Sequence, residues 1–145
     1  MFARNPLVVV TPSGNPAGIE SLRQLASDDV LVGLCAPAVP CGSLARELLD
    51  ARGVVASLDT EEPNVRALLT KVEEGELDVG IVYRSDVADN DRVEILPLDT
   101  AGVHAEYPAI ALGSGDSALR GTEFVRFLAG AEAIRILVAH GFDAP

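Results

Sequence analysis

Short aliphatic runs alternate along this chain with stretches whose apolar residues recur at helical spacing, and few architectures accommodate that alternation. Residues 7–11, 30–35 and 77–83 read as strands, with a weaker one at 54–58 and two more at 92–96 and 106–112. Between them, residues 42–51 place Leu44, Leu48 and Leu49 on one helical face, and Gly53 stops the helix. The clearest helix is 65–74: Val65, Leu68, Leu69 and Val72 follow the i, i+3, i+4, i+7 pattern, with Asn64 as N-cap and Gly75 just past the end. A short helix is expected at 19–26, after the Pro12-Ser13-Gly14-Asn15-Pro16 loop, and two more near 117–129 and 131–140. The expectation is an α/β domain with a mainly parallel sheet flanked by helices. No repeat, linker or low-complexity tract interrupts it.

With 145 residues the chain is long enough to bury a sizeable core, and with 4% aromatic residues and no Trp that core must be aliphatic. Its longest apolar runs, such as Leu7-Val8-Val9-Val10 and Ala109-Ile110-Ala111-Leu112, fall far short of a membrane span. A net charge of −11 argues against nucleic acid and anionic membrane surfaces, whose binders carry basic stripes. It does not exclude a small anion, because salt screens the long-range field within about 10 Å and local dipoles then decide. The opening Met1-Phe2-Ala3-Arg4 leads into a strand too short for a signal-peptide core, which at face value reads as cytoplasmic.

Enzyme signatures are absent: there is no G-x-G-x-x-G, phosphate loop, G-x-S-x-G or H-E-x-x-H. His140 falls in a last helical turn before Gly141, and His104 has no companion at metal-ligand spacing. Asp86, Asp89, Asn90 and Asp91 do not fit a calcium loop, since the sixth position counted from Asp89 is Glu94 rather than glycine. A solvated turn accounts for them, and Glu61-Glu62 and Glu73-Glu74 read as surface charge. Cys35 and Cys41, with five residues between them, match neither a zinc site nor a redox C-x-x-C. In an exported chain they could staple the intervening loop, worth about 2 kcal/mol; in a cytosolic one both would stay reduced.

Three stretches lie where a strand meets a helix or turn: Val39-Pro40-Cys41-Gly42-Ser43, Pro63-Asn64-Val65-Arg66 and Gly80-Ile81-Val82-Tyr83. Ordinary capped turns would look the same. In an open α/β sheet, however, ligands bind beyond the carboxyl ends of the strands, where helix N-termini present free N–H groups. Without a lysine among them, the stretches suit a small oxyanion held by neutral donors.

Those stretches, with Phe2-Ala3-Arg4-Asn5-Pro6-Leu7-Val8-Val9-Val10, Asn15-Pro16-Ala17-Gly18-Ile19, Arg84-Ser85-Asp86, Glu106-Tyr107-Pro108 and Gly141-Phe142, carry a resemblance. In order and spacing they resemble the C-terminal part of the molybdate-binding periplasmic proteins. These are the substrate-binding components of ABC importers, with a type II periplasmic-binding-protein fold. In that family the oxyanion is held by two serines from the N-terminal part, two backbone amides and a tyrosine hydroxyl. The resemblance places the amides on Cys41 and Val65 and the hydroxyl on Tyr83. Alanine has become Cys41, which is immaterial to a backbone donor, and aspartate has become Asn64, which still caps a helix.

The family's first lobe, with its signal peptide and both serines, has no counterpart here. The resemblance implies that about 6–105 form the second lobe and about 106–145 a crossing strand and C-terminal helices resting partly on the absent lobe. It implies molybdate or tungstate binding without catalysis or cofactor, the oxyanion held without direct metal ligation. It also implies an importer membrane subunit as partner, an extracytoplasmic location, and self-association through the exposed lobe interface. An exported family favours a Cys35–Cys41 disulfide. Three hydrogen bonds to a charged ligand, at about 1.5–3 kcal/mol each, against an association cost of at least about 4 kcal/mol, predict millimolar or weaker binding by this chain alone. The same fold serves as the ligand-sensing domain of transcription regulators, which is the alternative reading. An α/β enzyme with unrecognised chemistry is a third, disfavoured by the lack of a nucleophile–base pair.

Overall fold

The computed structural model describes residues 1–113 and 116–145. Its strands are β1 (Ala3–Pro12), β2 (Val32–Cys35), β3 (Leu58–Glu62), β4 (Val79–Tyr83), β5 (Val93–Leu96) and β6 (His104–Tyr107). Its helices are α1 (Pro40–Ala51), α2 (Val65–Glu73), α3 (Asp116–Leu128) and α4 (Ala131–Ala139), with a 3-10 turn at Leu22–Ala26 where a short helix was expected. The strands form one sheet in the order β3-β2-β4-β1-β5, with β6 also pairing β1.

The sheet is mixed, which corrects the expectation of a mainly parallel one. β2 pairs β3 and β4 in parallel, whereas β1 runs antiparallel to β4, β5 and β6. One strand running against all its neighbours makes most of the pairings antiparallel. Apolar runs report that a strand is buried, not which way it points.

β1 is longer than expected and changes character along its length. Its first residues alternate between buried and half-buried while pairing β6, and from Leu7 to Thr11 every residue is buried. That unbroken run lies between β4 and β5 and is covered on both faces. On one face Leu7, Val9, Val32 and Ile81 pack with Ala45, Leu48 and Leu49 of α1 and with Leu22 and Leu25. On the other, Val8, Val10 and Val82 pack with Leu68, Leu69 and Val72 of α2. Each of those leucines contributes about 2 kcal/mol by leaving water.

α2 follows its sequence closely: the Asn64 side chain accepts from the Ala67 amide at 3.0 Å, and Gly75 takes φ 72° just beyond the end. β3 lies later in the chain than the expected 54–58. Among the described residues only β2 pairs it, so Leu58, Asp59 and Glu61 remain exposed while Val54 is buried ahead of the strand. Charges on an edge strand prevent further pairing, and they also hide the strand from apolar periodicity. β6 starts earlier than the expected 106 and ends at Tyr107, before Pro108, which has no N–H for a ladder.

The C-terminal segment is tied back to β1. The Arg4 and Asp143 backbones exchange hydrogen bonds of 3.0 and 2.8 Å, and Arg84 donates from Nε to the Gly141 carbonyl at 2.7 Å and pairs with Asp143. Tyr107 makes edge contacts with Phe2 and Phe142. Among the described residues no helix is long and apolar enough to cross a membrane.

Candidate functional site

The ends of β2, β3 and β4 converge on one open cavity of about 430 Å³, lined by Val39, Pro40, Cys41, Asn64, Val65, Tyr83, Ala105, Glu106 and Tyr107. All three residues singled out from the sequence, Cys41, Val65 and Tyr83, therefore lie on the wall of a single cavity.

Each arrives there for a local reason. Val39 is extended (φ −109°, ψ 149°) and Pro40 opens α1, so Cys41 is its second residue. Proline suits that position because its missing N–H would be unpaired anyway. Val65 is the first residue of α2, behind the Asn64 cap. Asn64 spends its side chain on the Ala67 amide, and among the described residues neither the Cys41 nor the Val65 amide has an acceptor. Two unpaired N–H groups at helix N-termini, where the macrodipoles are positive, make a ready anion cradle. Tyr83 ends β4 and is half-buried; burial pushes its phenol well above the ordinary value, so it remains a donor across the neutral range. Among the described residues no lysine, arginine or histidine lines the cavity, so the N–H and O–H groups on its wall are neutral.

The wall formed by β6 was not among the sequence-chosen residues. Ala105, Glu106 and Tyr107 come from β6, and the only signal for them was Glu106-Tyr107-Pro108 as a matching segment. His104, also on β6, stands 3.6 Å from Glu106 and does not line the cavity. His140 is an exposed helix end on α4.

Asp86, Asp89 and Asp91 are exposed, as a solvated turn requires, and Asn90 donates to Glu73 at 2.7 Å. No group of three or more metal-ligating side chains occurs among the described residues. Glu61 and Glu62 correct the surface-charge expectation in part. Glu61 pairs with Arg46, while Glu62 is buried, 2.6 Å from Lys71 Nζ and accepting from Thr60 at 2.7 Å. The lysine ammonium, then the threonine hydroxyl, hold its carboxyl below the usual range.

The expected Cys35–Cys41 disulfide is not formed in this structure: both cysteines are free and buried. Both belong to one buried cluster, and the Cys41 thiol donates to the Ile81 carbonyl at 3.4 Å. The neighbouring Cys41 thiol lowers the Cys35 thiol from its ordinary value, while Cys35 and then burial raise Cys41.

Comparison with known proteins agrees with this architecture. The profile described as "Bacterial extracellular solute-binding protein" matches residues 1–143. Molybdate-binding protein ModA of Mycobacterium tuberculosis is 36% identical over 147 residues, covering 99% of this chain and 56% of that protein. The chain thus spans a little over half the length of the curated relatives it matches. The periplasmic molybdate-binding protein of Azotobacter vinelandii superposes with a TM-score of 0.67 at 18% identity, covering 99% of this chain and 67% of that one. The regulatory domain of CcmR from Synechocystis PCC6803, in complex with 2-PG, superposes with a TM-score of 0.65 at 17% identity over 88% of this chain and 63% of that one. At such identities these two structures speak for the fold alone. The profile match across nearly the whole chain and the relatives that share its sequence establish that this protein belongs to the bacterial extracellular solute-binding protein family, alongside the molybdate-binding proteins.

Proposed function

We propose that this chain is the C-terminal, ligand-holding portion of a solute-binding protein for molybdate or tungstate. The Cys41 and Val65 amides and the Tyr83 hydroxyl donate to the oxyanion. The observation that supports this reading is that Cys41, Val65 and Tyr83 line one cavity, with no cationic side chain on it among the described residues. Neutral donors suit a dianion that must be released again, because binding then rests on hydrogen bonds rather than a fixed countercharge.

In this reading residues 6–105 are the second lobe and 106–145 the crossing strand and C-terminal helices. The portion of the relatives' length that has no counterpart in these 145 residues supplies the remaining ligands and covers the C-terminal helices. An ABC importer membrane subunit receives the loaded protein outside the cytoplasm. No bond is made or broken in the solute, so the role is carriage.

Amide-resolved NMR tests this while molybdate is titrated into the chain, with chloride as control. Saturable shifts at Cys41 and Val65 in the millimolar range are expected, and Tyr83→Phe weakens them about 10-fold or more. Molybdate shifts confined to other amides, or affinity unchanged in Tyr83→Phe, would refute the site.

A further inference from the structure

Cys35 and Cys41 bracket the turn that carries one of the proposed donor amides. Cys35 is the last residue of β2 and Cys41 the second of α1. They are 0% and 2% exposed and belong to the same buried cluster. The backbone between them is already drawn tight without a covalent bond. A Cβ on Gly42 would lie 2.0 Å from the Ala36 carbonyl oxygen and 2.4 Å from that of Cys35, so α1 abuts the end of β2 with no room for a side chain. Arg46 Nη1 bridges the same two segments, donating to the Cys35 carbonyl at 2.8 Å and to the Gly42 carbonyl at 2.9 Å. The Val39 amide closes the turn onto the Ala36 carbonyl at 3.1 Å.

We propose that Cys35 and Cys41 become an intramolecular disulfide when the chain folds in an oxidising compartment, and that this bond ties the Cys41 amide covalently to the end of β2. The family is extracellular, where disulfides persist. The step is thiol–disulfide exchange with a disulfide-bearing carrier. One cysteine thiolate attacks the carrier disulfide, forming a mixed disulfide and releasing the first carrier thiol. The second cysteine thiolate then attacks the protein sulfur of that mixed bond, releasing the second carrier thiol. Two protein thiols are oxidised, one carrier disulfide is reduced, and the two protons end on the released carrier thiols. Because both sulfurs are buried in the folded chain, the exchange belongs to folding, before α1 settles onto β2. The only hydrogen bond the Ile81 carbonyl loses is a weak one from a thiol.

The bond does not depend on the oxyanion reading; only its bearing on the Cys41 amide does. The test refolds the full chain from denaturant with either a mixture of oxidised and reduced glutathione or excess reductant. In the first, thiol counting under denaturing conditions should find no free thiol, with a monomer on a non-reducing gel and an intact mass lower by two hydrogens. Reductant should restore both thiols and lower Tm by about 4–8 °C. Cys35→Ser/Cys41→Ser should have a Tm indifferent to reductant; if that variant does not fold, the wild-type comparison decides alone. Two free thiols after oxidative refolding, an intermolecular disulfide, or a Tm unmoved by reductant would overturn the proposal. The molybdate titration judges the oxyanion site separately, so failure of one leaves the other readable.

Discussion

The sheet region, residues 3–103, and the C-terminal segment, residues 104–145, draw on similar aliphatic residues and treat them oppositely. In the first, Leu7, Leu25, Leu48, Leu68 and Ile81 are fully buried. In the second, Ala133 is the only buried apolar residue among those described, while Phe124 is 60% exposed, Leu119 66% and Ile110 80%. α3 and α4 contact each other but leave much of their apolar surface in water. An amphipathic pattern therefore specifies a helix without specifying its partner.

The comparison breaks most directly by truncating one side chain from each region. Leu68→Ala removes a fully buried leucine of α2 from the sheet face and should cost about 3 kcal/mol in urea unfolding. Phe124→Ala removes a larger side chain from α3, stacked on Phe127 but mostly in water, and should cost less than about 0.5 kcal/mol. A Phe124→Ala cost equal to that of Leu68→Ala would mean that the C-terminal face is covered in solution, by another copy of this chain or by a different packing of α3.

The same contrast explains what was legible in the sequence. α2 was readable in full because every signal for it is local: four apolar residues at helical spacing, the Asn64 cap and Gly75. That Cys41, Val65 and Tyr83 share a cavity follows from short segments that open helices or close a strand, which the resemblance picked out and the fold brings together. The direction of β1 was not, since pairing partners lie far away in sequence and leave no mark on the apolar run. Nor was the span of β3, whose exposed Asp59 and Glu61 suit an edge and give no apolar alternation to read. Glu62 looked like surface charge because its partner, Lys71, sits on the following helix. The β6 wall of the cavity escaped because Ala105, Glu106 and Tyr107 take their place from pairing with β1, a contact about a hundred residues distant in sequence.

Within the sheet region, Asn64→Ala sharpens the link between folding and binding. It removes the acceptor of the Ala67 amide at the start of α2 and should lower stability by about 1 kcal/mol. Because Val65 follows the cap directly, the change should also perturb the Val65 amide, while Cys41 on α1 keeps its position. Urea unfolding gives the first effect and amide spectra the second. A change spreading equally to both amides would show that α1 and α2 do not frame the cavity independently.

The smallest expected effect concerns the ion pair under β3. Lys71 and Thr60 hold the Glu62 carboxyl below its usual range, so the folded state binds its proton less readily than the unfolded chain. The resulting stability is present above the unfolded value, about pH 4.3, and is lost as pH falls through the lower folded value. Glu62 in turn raises Lys71, whose contribution is present below the ordinary lysine range and lost as pH rises through the raised folded value. Glu62→Gln should therefore flatten the stability profile at both extremes and lower stability most on the plateau between them, near pH 7. The effect should be smaller than that of the Asn64 cap, because the Lys71 side chain is about a third exposed and water screens the pair. Urea midpoints measured from pH 3 to 11 decide it: an acid limb of unchanged steepness in Glu62→Gln would assign the sheet region's acid sensitivity to another carboxylate.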